Sequence, residues 1–110
     1  MTFDEYQSKT PLTAKYPTEK SMGILYTSMG LSGEVGEICN KVKKIIRDDN
    51  FIVTDDKRND IKKEIGDVLW YVSQLCNELG LNMDEIAFTN LEKLRSRNER
   101  GVIGGSGDNR

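Results

Sequence analysis

The chain has 110 residues, a net charge of −2 with charged side chains near 31%, two cysteines and no histidine. That length allows one domain with a single modest core, and the mixed surface lacks the basic excess of a nucleic-acid polymer binder. No apolar run approaches the ~18 residues needed to span a bilayer and no basic-then-apolar leader is read at the start, so a soluble, cytoplasmic protein without a membrane partner is expected.

Thr2-Phe3-Asp4-Glu5 predicts a short first helix, with Thr2 as N-cap and Glu5 three residues on, ending before Pro11. Pro11 and Pro17 bracket a non-helical connection, after which Thr18 or Ser21 offers a cap. A second helix is predicted from about Ser21 to Arg47, with Leu31, Val35, Ile38, Val42 and Ile45 recurring at steps of four and three. Asp48-Asp49-Asn50 ends it, and Phe51 to Thr54 is read as a loop whose apolar residues dock onto the bundle. A third helix spans about Asp56 to Leu79, with Ile61, Ile65, Val68, Val72, Leu75 and Leu79 in the same spacing and Gly80 as its stop. A fourth runs from about Asn82 or Met83 to Arg97, carrying Ile86, Leu91 and Leu94. Residues 1–99 form the domain, and residues 100–110 a Gly-rich, irregular tail. With no strand pattern anywhere, the fold expected is an all-α bundle of about four helices.

Cys39 and Cys76 fall in separate helical patterns and are expected to be reduced, buried apolar groups. No histidine is present to join them in a zinc site, and acid–base chemistry falls to carboxylates, lysine, tyrosine or water.

Glu34-Val35-Gly36-Glu37 and Glu64-Ile65-Gly66-Asp67 carry the strongest chemical signal. A spacing of three sets two carboxylates on one helix face, one turn apart, where like charges repel. Each pair immediately precedes stripe residues, Val35 and Ile38 on one helix and Ile65 and Val68 on the other, so both are displaced by about 100° to the same side of the apolar seam. If the seams pack, four hard oxygen donors border one interface, a set suited to Mg²⁺ or Mn²⁺. Gly33, Gly36 and Gly66 beside the acids each cost about 1 kcal/mol relative to alanine within a helix. They imply either close helix approach or room for a ligand.

Lys41 and Lys44 follow the first acidic pair, Tyr71 follows the second, and Asn90, Lys93 and Arg97 share one side of the fourth helix. Cations opposite an acidic metal site fit a polyphosphate bridged by the metal. Trp70 and Tyr71 suit either packing or stacking on a base. Gly104-Gly105-Ser106-Gly107 lacks the strand and Gly-Lys-Ser/Thr ending of a phosphate loop, and Asp48 to Asp60 lacks the donor pattern of an EF-hand.

The paired acidic motifs resemble the all-α nucleoside triphosphate pyrophosphohydrolases of the MazG type. The resemblance includes Tyr6-Gln7, the run Gly30 to Glu37, the run Lys63 to Tyr71, Asn90-Leu91-Glu92-Lys93-Leu94 and the segment from Arg100 to Arg110. Many members carry a further glutamate where this chain has Gly33, which leaves the number of metal ions and the substrate range open. The resemblance implies hydrolysis of a nucleoside triphosphate, ribo or deoxy, to the monophosphate and pyrophosphate, for nucleotide-pool control or house-cleaning. It implies that Glu34, Glu37, Glu64 and Asp67 hold Mg²⁺ and act in catalysis, water activated there attacking the α-phosphorus. Lys93 and Arg97, helped by Lys41 or Lys44, would then steady the pyrophosphate, and Asn90 would contact sugar or phosphate. It further implies a homodimer or homotetramer, with active sites near subunit contacts. Two other readings stay open: a dUTP- or phosphoribosyl-ATP-specific enzyme with the same site, and a non-catalytic helical oligomerisation module.

Overall fold

In the computed structural model, which describes residues 1–110, every regular element is helical: α1 (Phe3–Lys9), α2 (Met22–Asp48), α3 (Asp55–Leu79) and α4 (Met83–Glu99), with 3-10 turns at Thr10–Thr13 and Glu19–Ser21. The ends follow local chemistry. Thr2 Oγ1 accepts from the Glu5 N–H at 3.1 Å while Glu5 Oε2 accepts from the Thr2 N–H at 2.7 Å, the reciprocal cap that the sequence predicts. Thr54 caps α3 by accepting from Lys57 N–H at 3.3 Å, and Asn82 caps α4 by accepting from Glu85 N–H at 2.9 Å. Gly80 takes φ 67° and closes α3, with Leu81 N–H returning to the Cys76 carbonyl at 2.8 Å. Ser21 stands at the N-cap of α2 but makes no capping bond, because Lys20 and Ser21 both adopt left-handed backbone.

The body of the protein is the antiparallel α2–α3 hairpin. Its register is fixed by close approaches: Gly23 faces the Glu78 carboxylate and Gly30 faces the Tyr71 ring, while Lys44 and Lys57 line one cavity. Each step along α2 between these pairs is matched by an equal step back along α3, in multiples of seven residues, as in a coiled coil. The connection before α2 is tied to α3 by polar contacts. Thr10 Oγ1 and Ser73 Oγ lie 2.7 Å apart, Trp70 Nε1 donates to Thr13 Oγ1 at 2.8 Å, and Tyr16 OH donates to Glu78 Oε1 at 2.7 Å. Gln7 on α1 holds the α3–α4 corner, donating to the Leu81 carbonyl and accepting from Met83 N–H, each at 2.8 Å.

The four helices do not close into a bundle. α4 turns away from α3 and packs on α1, leaving an apolar groove of about 270 Å³ lined by Phe3, Leu69, Val72, Cys76, Met83 and Ile86. The radius of gyration is 17.0 Å, against about 13 Å for a compact chain of this length. Ile45, Cys76 and Met83 are the buried apolar side chains. The α2 seam explains the shortfall. α3 covers the flank that carries Gly30, Glu34 and Lys41, and leaves Val35, Val42 and Ile46 exposed on the other. Cys39, expected to be buried, lies on that open side and is exposed, whereas Cys76 is buried as expected. Phe51, Ile52 and Val53, expected to dock onto the bundle, are also exposed. Left-handed backbone at Asn50 and Phe51 carries the turn outward instead.

Candidate metal and phosphate site

Across the α2–α3 seam, Glu34, Glu64 and Asp67 each place a carboxylate oxygen within 4.8 Å of the others. Glu34 and Glu64 are half-buried and Asp67 is exposed. Burial pushes the Glu34 carboxyl above its ordinary range. The charges of Asp67 and Glu64, a carboxyl–carboxyl hydrogen bond with Glu64 and the charge of Glu37 push it further the same way. The register sets Glu37 level with Glu64, so its charge reaches Glu34. Its exposed carboxylate nevertheless stands outside the trio.

One cation answers this concentration of negative charge. Lys41 Nζ lies 3.4 Å from Glu64 Oε1, and no salt bridge reaches Glu34, Glu37 or Asp67 from any lysine or arginine. Three hard oxygen donors, largely uncompensated and with no sulfur or imidazole among them, fit Mg²⁺ or Mn²⁺. Gly33, Gly36 and Gly66 have nothing within 4 Å of where a Cβ would stand. Close approach between the helices of this chain is therefore not their reason; the α2 glycines that do admit a neighbour are Gly23, against Glu78, and Gly30, against Tyr71. A methyl at Gly30 would strike the Tyr71 ring.

Aromatic side chains gather on the N-terminal side of α2 from the acids. Tyr26 stacks on Tyr16 with ring centroids 4.7 Å apart, and Trp70 meets Tyr71 edge-on at 5.0 Å. Burial raises the Tyr71 hydroxyl above its ordinary range, followed by Tyr26 and then by the charges of Glu34 and Asp67. Tyr71 therefore borders the acids. Tyr6 joins the same rim, its hydroxyl raised by burial and then by Asp67. On the other side of the acids, Lys41, Lys44, Lys57 and Asp60 surround a cavity of about 150 Å³. Tyr16, Tyr26 and Lys57 escape sequence reasoning because only the cross-helix register brings them here.

The expected residues of α4 lie elsewhere in the chain. Lys93 Nζ is 3.0 Å from Asp108 Oδ1, and Arg97, buried, donates to the Asp108 carbonyl and carboxylate. The Nε of Arg97 is buried without a partner. Asn90 lines the apolar groove between α3 and α4. No hydrogen bond or ion pair joins these three to the acid trio. The tail is folded: the Arg110 guanidinium donates to the carbonyls of Val102, Ile103, Gly104 and Gly107.

Residues 24–102 match the MazG nucleotide pyrophosphohydrolase domain, a span that contains the acid trio and Glu37. The chain belongs to the MazG family. A protein of Mycobacterium phage L5 described as "Gene 37 protein" is 49% identical over 114 residues, covering the whole of both chains. No solved structure matches. Membership of the MazG family carries pyrophosphohydrolase-type hydrolysis of nucleotides as its activity class, and no helix here is long and apolar enough to cross a membrane.

Proposed function

We propose that this MazG domain hydrolyses nucleoside triphosphates, ribo or deoxy, to the monophosphate and pyrophosphate with Mg²⁺, Mn²⁺ serving in its place. The observation that carries this reading is the carboxylate trio within 4.8 Å on two helices of a MazG domain. Glu34, Glu64 and Asp67 would hold the ion. Magnesium there supplies neutralisation of phosphate charge and acidifies water at neutral pH. Glu37, level with Glu64 and free of the trio, accepts the proton of the water that adds to the α-phosphorus. The α–β bridging P–O bond breaks and pyrophosphate leaves, its added charge met by Lys41 and Lys44. Tyr71, held over Gly30, borders the nucleoside side of the acids. Lys93 and Arg97 reach phosphate only if Asp108 gives way or a second copy brings them near, and Asn90 only in the second case.

The protein works as a homo-oligomer in this reading, a dimer or a pair of dimers. Support comes from the open flank of the α2 seam and from exposed Leu91, Leu94 and Ile86 on α4. A second copy would cover these and the apolar groove. Residues 1–99 are taken as the catalytic domain, acting in nucleotide-pool control or house-cleaning.

A nucleotide panel with Mg²⁺, followed by ³¹P NMR, tests the reading. Pyrophosphate and a monophosphate are expected, and turnover of dUTP or phosphoribosyl-ATP alone would narrow the substrate. Release of orthophosphate alone, or no turnover of any nucleotide, would overturn it.

A further inference from the structure

We propose that Lys41, Lys44 and Lys57 form the receptor for the distal phosphates of the substrate, with Lys57 a binding residue for the terminal phosphate. This rests on the nucleotide reading above. The α2–α3 groove is laid out in one line. Tyr26 and Tyr71 lie on one side of the acid trio, and the cavity of about 150 Å³ between Lys41, Lys44, Lys57 and Asp60 lies on the other. Lys41 belongs to both parts: its Nζ is 3.4 Å from Glu64, and the same side chain lines the cavity. An anion in the cavity is therefore one side chain away from the ion site.

The chemistry of the lining is matched to phosphate. Three ammonium groups face one carboxylate, and that carboxylate, Asp60, has Lys63 3.8 Å away. No salt bridge ties Lys44 or Lys57; the nearby Asp48 carboxyl, lowered first by its hydrogen bond to Arg47 and then in part by these two lysines, is paired with Arg47 at 2.7 Å, which leaves both ammonium groups to meet phosphate oxygens. The lining contains no apolar residue, so it favours an anion over an apolar group as occupant. The Lys57 backbone is held by the Thr54 cap at 3.3 Å, so its side chain springs from a fixed turn of α3. The layout also gives the substrate a direction: nucleoside toward Tyr71, α-phosphate at the trio, distal phosphates toward the α2–α3 turn.

Inorganic pyrophosphate, titrated calorimetrically into the full chain with and without Mg²⁺, reads this site apart from turnover. Lys57→Met should weaken pyrophosphate binding about tenfold, the loss of one charge-assisted contact, and raise KM for a triphosphate with kcat little changed. Lys57→Arg should restore binding, and Lys62→Met, on the exposed side of α3, should leave it at the wild-type value. Unchanged binding in Lys57→Met, or no pyrophosphate binding by the wild type, overturns the proposal. Pyrophosphate binding that depends on Lys57 in a protein that turns over no nucleotide would retain the anion site and reject the nucleotide reading.

Discussion

Replacing Glu34 by glutamine should stabilise the metal-free protein while removing its response to magnesium. Glu34 has two carboxylate neighbours within 4.8 Å and no lysine or arginine bridge. Two unit charges at that separation repel by about 1 kcal/mol in water and about 3.5 kcal/mol at an effective dielectric of 20. Half-exposure and the option of taking up a proton reduce the sum for two neighbours to about 1–2 kcal/mol. For a chain of this size that is a rise in Tm of about 4–8 °C. The sign with pH follows from the raised Glu34 carboxyl. Below its ordinary value of 4.5 the group is protonated whether folded or unfolded, and the variant gains nothing. As pH rises through the higher folded value, the wild type loses stability that Glu34→Gln keeps. Magnesium at a hundredfold excess over its Kd should raise the wild-type midpoint by about 2.7 kcal/mol of stability, and the variant's far less. Thermal melts by circular dichroism at pH 4 and pH 8, with and without MgCl₂, measure all four terms. A lower metal-free Tm in Glu34→Gln at pH 8, or an undiminished magnesium shift, would refute the reasoning.

Three further outcomes are expected. Lys41→Met removes the only cation competing for Glu64, so Mn²⁺ should bind severalfold tighter by calorimetry, while KM for the triphosphate rises. Gly30→Ala drives a methyl into the Tyr71 ring; overpacking of this kind costs about 1–3 kcal/mol, visible as a lower Tm together with a higher KM. Asp108→Asn removes the tail's charge from Lys93 and Arg97, leaving Arg97 its bond to the carbonyl of residue 108. Because both hold the Asp108 carboxyl below its ordinary range, the wild type's advantage over the variant should be present at neutral pH and fade as pH falls through the lowered value.

What the sequence disclosed is what local chemistry decides. The reciprocal cap of Thr2 and Glu5 and the Gly80 stop are set by neighbours within a few residues, and they appear where the pattern puts them. The two acidic pairs were legible for the same reason, since a spacing of three sets a helix face whatever packs against it. What eluded it depends on the register of α2 against α3. That register turns the acid flank of the seam inward, leaves Cys39 and Val42 exposed, and sets Glu37 level with Glu64. It also brings Tyr26 and Lys57, distant in sequence, to either side of Glu34. The course of α4 was hidden because only Met83 of its apolar residues is buried, while Ile86, Leu91 and Leu94 stay exposed. A helical stripe marks an apolar face, not what packs against it.

The proposed activity depends on an ion held between α2 and α3. Crystals grown with MnCl₂ and an α,β-imido nucleoside triphosphate, measured at the manganese edge, test it most directly. Anomalous density among Glu34, Glu64 and Asp67, with the phosphates running toward Lys41, is the result expected. Phosphates bound elsewhere, with no anomalous peak at those three carboxylates, would contradict it.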